Sequence, residues 1–281
     1  MQSECYQRLQ PILSEYLHVY QFLNDGFIRG QCESALKNFL LKRLDNEESS
    51  HFTCQHLPTL EQRLAGLTSI TGYDRLKPLL RGASDWDEYQ EFLAQIDITL
   101  FFKHKNLLKE IEPELPHRAG NADFLLSFSQ QDIYCEVTSF ESLAKSIESL
   151  TKDGDNKIES KFQKVRKEQP WITRQDIENE TEVNRIAKNL LEKTKRQLPL
   201  NHLGILALET GKSQVYCYKI KEVAKKLFPK RPQVTLIMLW SLEKGSQIGE
   251  APFWFVNPNS PYQNIGRKLL EHLGQDNKVI S

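Results

Sequence analysis

The stretch Gly120–Phe140, GNADFLLSFSQQDIYCEVTSF, decides how this chain is read. Both of its arms alternate. On the first, Ala122, Phe124, Leu126 and Phe128 form an apolar row, opposed by Asp123, Leu125 and Ser127. On the second, Ile133, Cys135 and Val137 are apolar, opposed by Tyr134, Glu136 and Thr138. A period of two along both arms predicts a β-hairpin with its turn centred on Gln130-Gln131, Phe128 facing Ile133, Leu125 facing Glu136 and Asp123 facing Thr138. Sliding one arm by a residue would set apolar against polar rows, so pattern and register agree.

In that register Asp123 and Glu136 are diagonal neighbours on one face, roughly 7–8 Å apart at the backbone. Their carboxylates can converge on one hard cation. Mg2+ suits such a pair, because it takes one or two carboxylates at about 2.0–2.1 Å and keeps several waters. A cation held this way activates water and offsets charge on a phosphate. The plainer reading is a half-buried hairpin whose two acids are solvated. Taken alone, the segment supports both.

Asp123 followed by Glu136-Val137-Thr138 on a hairpin resembles the PD-(D/E)xK, or restriction-endonuclease-like, nuclease superfamily. The resemblance covers roughly residues 84–260 and implies an α/β fold: an αβββαβ core with a mixed central sheet. Flanking residues agree with it. Ser84-Asp85-Trp86-Asp87 reads as a capping box, and Tyr89, Phe92, Leu93, Ile96 and Leu100 follow at helical spacing. Gln95 falls where the family often has a Glu near the metal, with Glu91 one turn earlier as a substitute. Downstream, Val183, Ile186, Ala187, Leu190, Leu191, Thr194 and Leu198 form an apolar stripe with Lys193 and Gln197 on its margin, four residues apart. That segment and the strand His202–Glu209 are similar to the family's Lys/Gln-bearing helix and following strand.

Two residues depart from the family pattern. Ala122 replaces a proline that shapes the strand entry, and Thr138 stands where the catalytic Lys is usual. A hydroxyl supplies no positive charge, so Lys193 is the candidate replacement, with Lys145 and Lys195 behind it. The resemblance thus implies metal ligation by Asp123, Glu136 and the carbonyl after Glu136. Lys193 would act on phosphate or water, with Gln197 and Gln95 orienting groups around them. It implies Mg2+ as cofactor, with Mn2+ able to replace it, and nucleic acid as partner, DNA before RNA. The other reading it allows is a catalytically silent nuclease-like fold that binds nucleic acid or assembles with partners.

Composition narrows the class. The chain has 281 residues, enough for one large or two small cores, with Lys plus Arg and Asp plus Glu equal at 37 each. No field from the whole protein attracts polyanions, so contact with nucleic acid must come from local asymmetry. Five scattered cysteines without CxxC spacing predict a reducing, cytoplasmic setting. The start MQSECYQRLQ has no signal-peptide pattern, and no apolar run of about 18 residues predicts a membrane span. Oligomeric state is open, a dimer included. GxxxxGK[ST], GxGxxG and GxSxG motifs are absent from the sequence, which disfavours P-loop, dinucleotide-fold and serine-hydrolase chemistry.

The remaining organisation follows from periodicity. Residues 1–83 predict a helical N-terminal subdomain and residues 84–281 the nuclease-like domain, with apolar repeats through Leu9, Ile12, Leu13, Tyr16 and Leu17 and again from Leu36 to Leu44. His51, Cys54 and His56 are metal-ligand types without finger spacing and would need Cys32 as a fourth; coincidental loop residues are the favoured reading. Lys157, Lys161, Lys164 and Lys167 recur at helical spacing with acids interleaved, either a basic ridge or a solvated helix face. Val234–Trp240 and Pro252–Val256 predict strands buried on both sides. A third functional class, an α/β interaction protein without any nucleic-acid role, stays open alongside the nuclease and the silent fold.

Overall fold

The computed structural model describes residues 4–21, 36–38, 49–83, 86–115, 121–139, 151–169, 171–210, 217–240, 252–275 and 279. The fold is α/β: the six strands lie in chain order across one mixed, open sheet. The chain divides into two compact units, Met1–Pro113 with Asp123–Ser127, and Glu114–Ala122 with Phe128–Ser281. Among the described residues no helix is long and apolar enough to cross a membrane.

The first unit carries helices Glu4–Leu13 (α1), Ser49–Leu67 (α2), Leu76–Gly82 (α3) and Trp86–His104 (α4), then strands Leu108–Ile111 (β1) and Phe124–Phe128 (β2). The predicted α4 stripe is its core: Tyr89, Phe92, Leu93, Ile96 and Leu100 are all buried. The capping box proposed for this helix lies partly outside the described residues, at Ser84 and Asp85. β1, which hydrophobic patterning did not predict, pairs antiparallel with β2, Ile111 opposite Phe124, across an irregularity between Leu108 and Glu110. Gly72 makes this arrangement fit. With φ +85°, it brings the backbone so close to β1 that a Cβ would stand 2.0 Å from the Ile111 carbonyl oxygen.

The second unit contains Gln131–Ser139 (β3), Thr151–Glu168 (α5), Arg174–Gln197 (α6), Leu203–Glu209 (β4), Cys217–Leu227 (α7), Val234–Trp240 (β5), Phe253–Val256 (β6) and Gln263–Leu273 (α8). β3 runs parallel to β4, β4 parallel to β5, and β5 antiparallel to β6. Parallel neighbours need long crossovers, which α5 with α6 and then α7 supply. Every residue of β4 and β5 is buried, as continuous apolar strands inside such a sheet must be. β6 departs from the expectation of burial on both sides: it closes this edge, and Phe253 is 41% exposed.

Two local features go beyond or against the sequence pattern. The connection between β2 and β3 is Ser129-Gln130, both left-handed with φ 50° and 63°, so the turn is centred one residue earlier than expected. Such a pair forms a two-residue turn that favours Asn-Gly, and neither residue here announces it. The start of α6 is fixed by a capping box that the apolar stripe of this helix does not reveal. Thr173 caps it: its hydroxyl accepts from the Asp176 N–H, while the Asp176 carboxylate accepts from the Thr173 N–H at 2.9 Å.

Candidate active site

Glu136 sits in the middle of β3, opposite Leu206 of β4, and is fully buried. It is therefore no solvated surface acid. A buried carboxylate needs a partner, because removing its charge from water costs several kcal/mol, on the order of the penalty for any buried ion. α6 provides one. Its buried stripe of Val183, Ile186, Ala187, Leu190 and Thr194 fixes the helix on its apolar side and leaves Lys193 at the margin, 27% exposed. The long stem lets the ammonium reach inward. Nζ lies 2.9 Å from Glu136 Oε1 and donates to the Val137 carbonyl at 2.8 Å.

The neighbours of this pair follow from the same packing. Thr138 is buried at the next same-facing position of β3. Its hydroxyl carries no charge, and the ammonium beside Glu136 belongs to α6. Gln197, one helical turn beyond Lys193, is half-buried, while Lys195 is exposed; Lys145 lies outside the described residues. Arg231 donates to the Leu191 carbonyl, and Lys219 pairs with Glu182 at 2.6 Å, so α6 is tied along its length.

In the first unit, Gln95 of α4 is buried and its amide nitrogen donates to Glu112 Oε1 at 3.2 Å and Asp123 Oδ1 at 3.3 Å. The amide is a neutral hub between two carboxylates, a position where a third acid would repel both. Glu112 was not singled out from sequence. Its N–H donates to the Asp123 carbonyl at 2.8 Å, its own carbonyl accepts from Arg75, and its backbone is left-handed at φ 51°. Glu112 precedes Pro113, a context that disfavours helical conformations and gave no hint of this one. Glu91 is half-buried, one turn before Gln95.

A second polar cluster ties α2 to α4. Arg63 grips Asp97, Nε to Oδ1 at 2.6 Å and Nη2 to Oδ2 at 2.7 Å. His56 meets the Tyr89 hydroxyl at 2.5 Å. Burial lowers the His56 pKa from 6.5 to about 4, with help from the Arg63 charge. Burial also raises Asp97 from 3.8 to about 6, against the pull of the Arg63 charge and hydrogen bond. Of the metal-ligand types noted around position 54, only the His56 side chain lies within the described residues, and it serves this network.

At Glu136 a carboxylate oxygen and a backbone carbonyl converge within 3 Å of one cationic nitrogen, and both are donor types that hard divalent cations take. Among the described residues no group of three or more His, Cys, Asp or Glu gathers as a ready-made metal set. No family model matches the chain, and no curated protein or solved structure matches it either.

Proposed function

We propose that this chain is a Mg2+-dependent, nuclease-like phosphodiesterase that acts on nucleic acid, with DNA as the preferred substrate. One observation carries the reading: a lysine from α6 brings its ammonium to the buried Glu136 carboxylate and the Val137 carbonyl. That is the chemical role the resemblance asks of the residue at Thr138. Glu136, the Val137 carbonyl and Asp123 are the oxygens that would hold Mg2+ or Mn2+. When bound, the cation would supply charge stabilisation and water activation. Lys193 offsets charge on phosphate oxygens, and Gln95 orients Asp123 through its amide. Gln197 would orient groups beside Lys193.

The pairing of Lys193 with Glu136 also favours a second reading, in which the ammonium permanently fills the cation position and the fold only binds nucleic acid. One experiment separates them: the purified chain is incubated with plasmid DNA and Mg2+ or Mn2+, and with EDTA. Cutting that needs metal and vanishes in Asp123→Ala and Glu136→Ala establishes the enzyme. Binding without cutting establishes the silent fold, and neither activity nor binding removes nucleic acid from the reading.

A further inference from the structure

The edge of the second unit carries a cavity of about 540 Å3, between α7, β6 and the start of α8. Nothing in the proposed nuclease reading uses it. The volume falls within the roughly 300–1,000 Å3 of pockets that take small ligands.

Its walls have three chemistries. Phe228 and Phe255, both buried, with Pro229 and Pro258, form its apolar wall. Lys221, Lys225 and Arg267, all exposed at their outer ends, line the same cavity. Asn259 and Gln263 add side-chain amides, each able both to donate and to accept. Lys225 also pairs with Glu222 at 2.5 Å, an acid that stands outside the lining.

The cradle is fixed by packing. Gly266 lets α8 lie directly on β5, since a Cβ there would meet Thr235 Cγ2 at 2.8 Å. That contact sets Gln263 and Arg267, one turn apart, over the pocket. The Asn257 amide anchors the β6–α8 connection to the Val234 carbonyl at 2.9 Å, and Thr235 and Ser260 hydroxyls meet at 2.8 Å. The residues that would contact a ligand thus stand on a firm base.

A flat ring stacks on apolar planes, an anion needs the cations, and amides read a hydrogen-bonding edge. A nucleotide combines all three. We propose that this cavity is a nucleotide-binding site, taking a heteroaromatic base against Phe228 and Phe255 and a phosphate at Lys221, Lys225 and Arg267. The site is independent of the nuclease reading. Its nucleotide is either free or the phosphorylated end of a strand.

Calorimetric titration of the full chain in EDTA tests it, because chelation keeps phosphate from being held through a metal elsewhere. The probes are AMP, adenosine, pyrophosphate and a 5′-phosphorylated trinucleotide. The expected result is saturable AMP binding, at least about tenfold tighter than adenosine or pyrophosphate, since both halves of the ligand contribute. Arg267→Glu weakens AMP about tenfold or more with an unchanged melting temperature, and Gln263→Ala, which removes only an amide, weakens it less. A trinucleotide that outcompetes AMP identifies a strand end; AMP equal or better identifies a free nucleotide. The proposal is overturned if AMP does not saturate, if adenosine or pyrophosphate binds as well as AMP, or if Arg267→Glu leaves AMP affinity intact.

Discussion

At the scale of single residues, Glu136 and Lys193 form a unit whose members cannot be removed one at a time without cost. Glu136 is fully buried and its ion-pair partner is mostly so. Lys193→Met takes the ion-pair partner away from a buried carboxylate, and breaking a buried pair this way typically costs about 3–5 kcal/mol. Glu136→Gln with Lys193→Met removes both charges, and most of that loss is expected to return. Urea midpoints of the wild type, the single and the double variant measure this coupling, and a double variant no more stable than Lys193→Met refutes it. Added Mg2+ supplies a second check: it restores part of the stability of Lys193→Met if the Glu136 oxygens accept a divalent cation, and does nothing if they accept only the ammonium. Gln95 makes a parallel case. Gln95→Glu sets a third carboxylate between Glu112 and Asp123, so the variant melts lower in EDTA and gains more from Mg2+ than the wild type does.

Among the elements, the α2–α4 contact contains two groups whose acid responses oppose each other. His56 is held neutral: its folded pKa is depressed to about 4, so its contribution is complete above 6.5 and is lost as pH falls through about 4. Asp97 is the reverse. Its folded pKa is raised to about 6, so its contribution is complete below 3.8 and is lost as pH rises through about 6. Between about pH 6 and 4 the two terms cancel in large part. Asp97→Asn exposes the His56 term, and its melting temperature drops more on acidification than the wild type's; His56→Gln shifts the slope the other way. Parallel slopes in all three proteins over that window would refute the assignment. The α4 and α6 stripes and the strands β4 and β5 were legible in sequence because burial of one face or both faces writes a period into the residues. β1, the Ser129-Gln130 turn and Glu112 were not. Their geometry is imposed by neighbours: Gly72 and the Thr71 carbonyl at β1, and left-handed backbone at three residues whose types do not signal it. Lys193 was legible as a helix-margin cation and, through the resemblance, as the candidate replacement for the lysine missing at Thr138; its reach to Glu136 depends on the packing of α6.

For the whole molecule, charge balance sets how any nucleic-acid contact must respond to salt. Lys plus Arg and Asp plus Glu are equal at 37, and the lysines of α5 alternate with acids, Lys161 pairing with Glu180 of α6 at 3.0 Å. A long phosphate track of the kind that releases many counterions therefore has little to build on, and attraction must come from a few local cations. Two or three phosphate contacts give a slope of log affinity against log salt of about −1.8 to −2.7, a loss of roughly 12- to 42-fold between about 50 and 200 mM salt. Fluorescence anisotropy on a labelled duplex in Ca2+ or EDTA, where cutting is suppressed, measures that slope. A loss of a thousandfold or more would mean that many more cations are engaged than this distribution offers, and the few-contact arrangement would be wrong. Within the expected slope, Lys193→Met should reduce its magnitude by about one unit if its ammonium faces phosphate, because each neutralised phosphate contributes roughly that much. An unchanged slope would assign Lys193 to holding Glu136 alone.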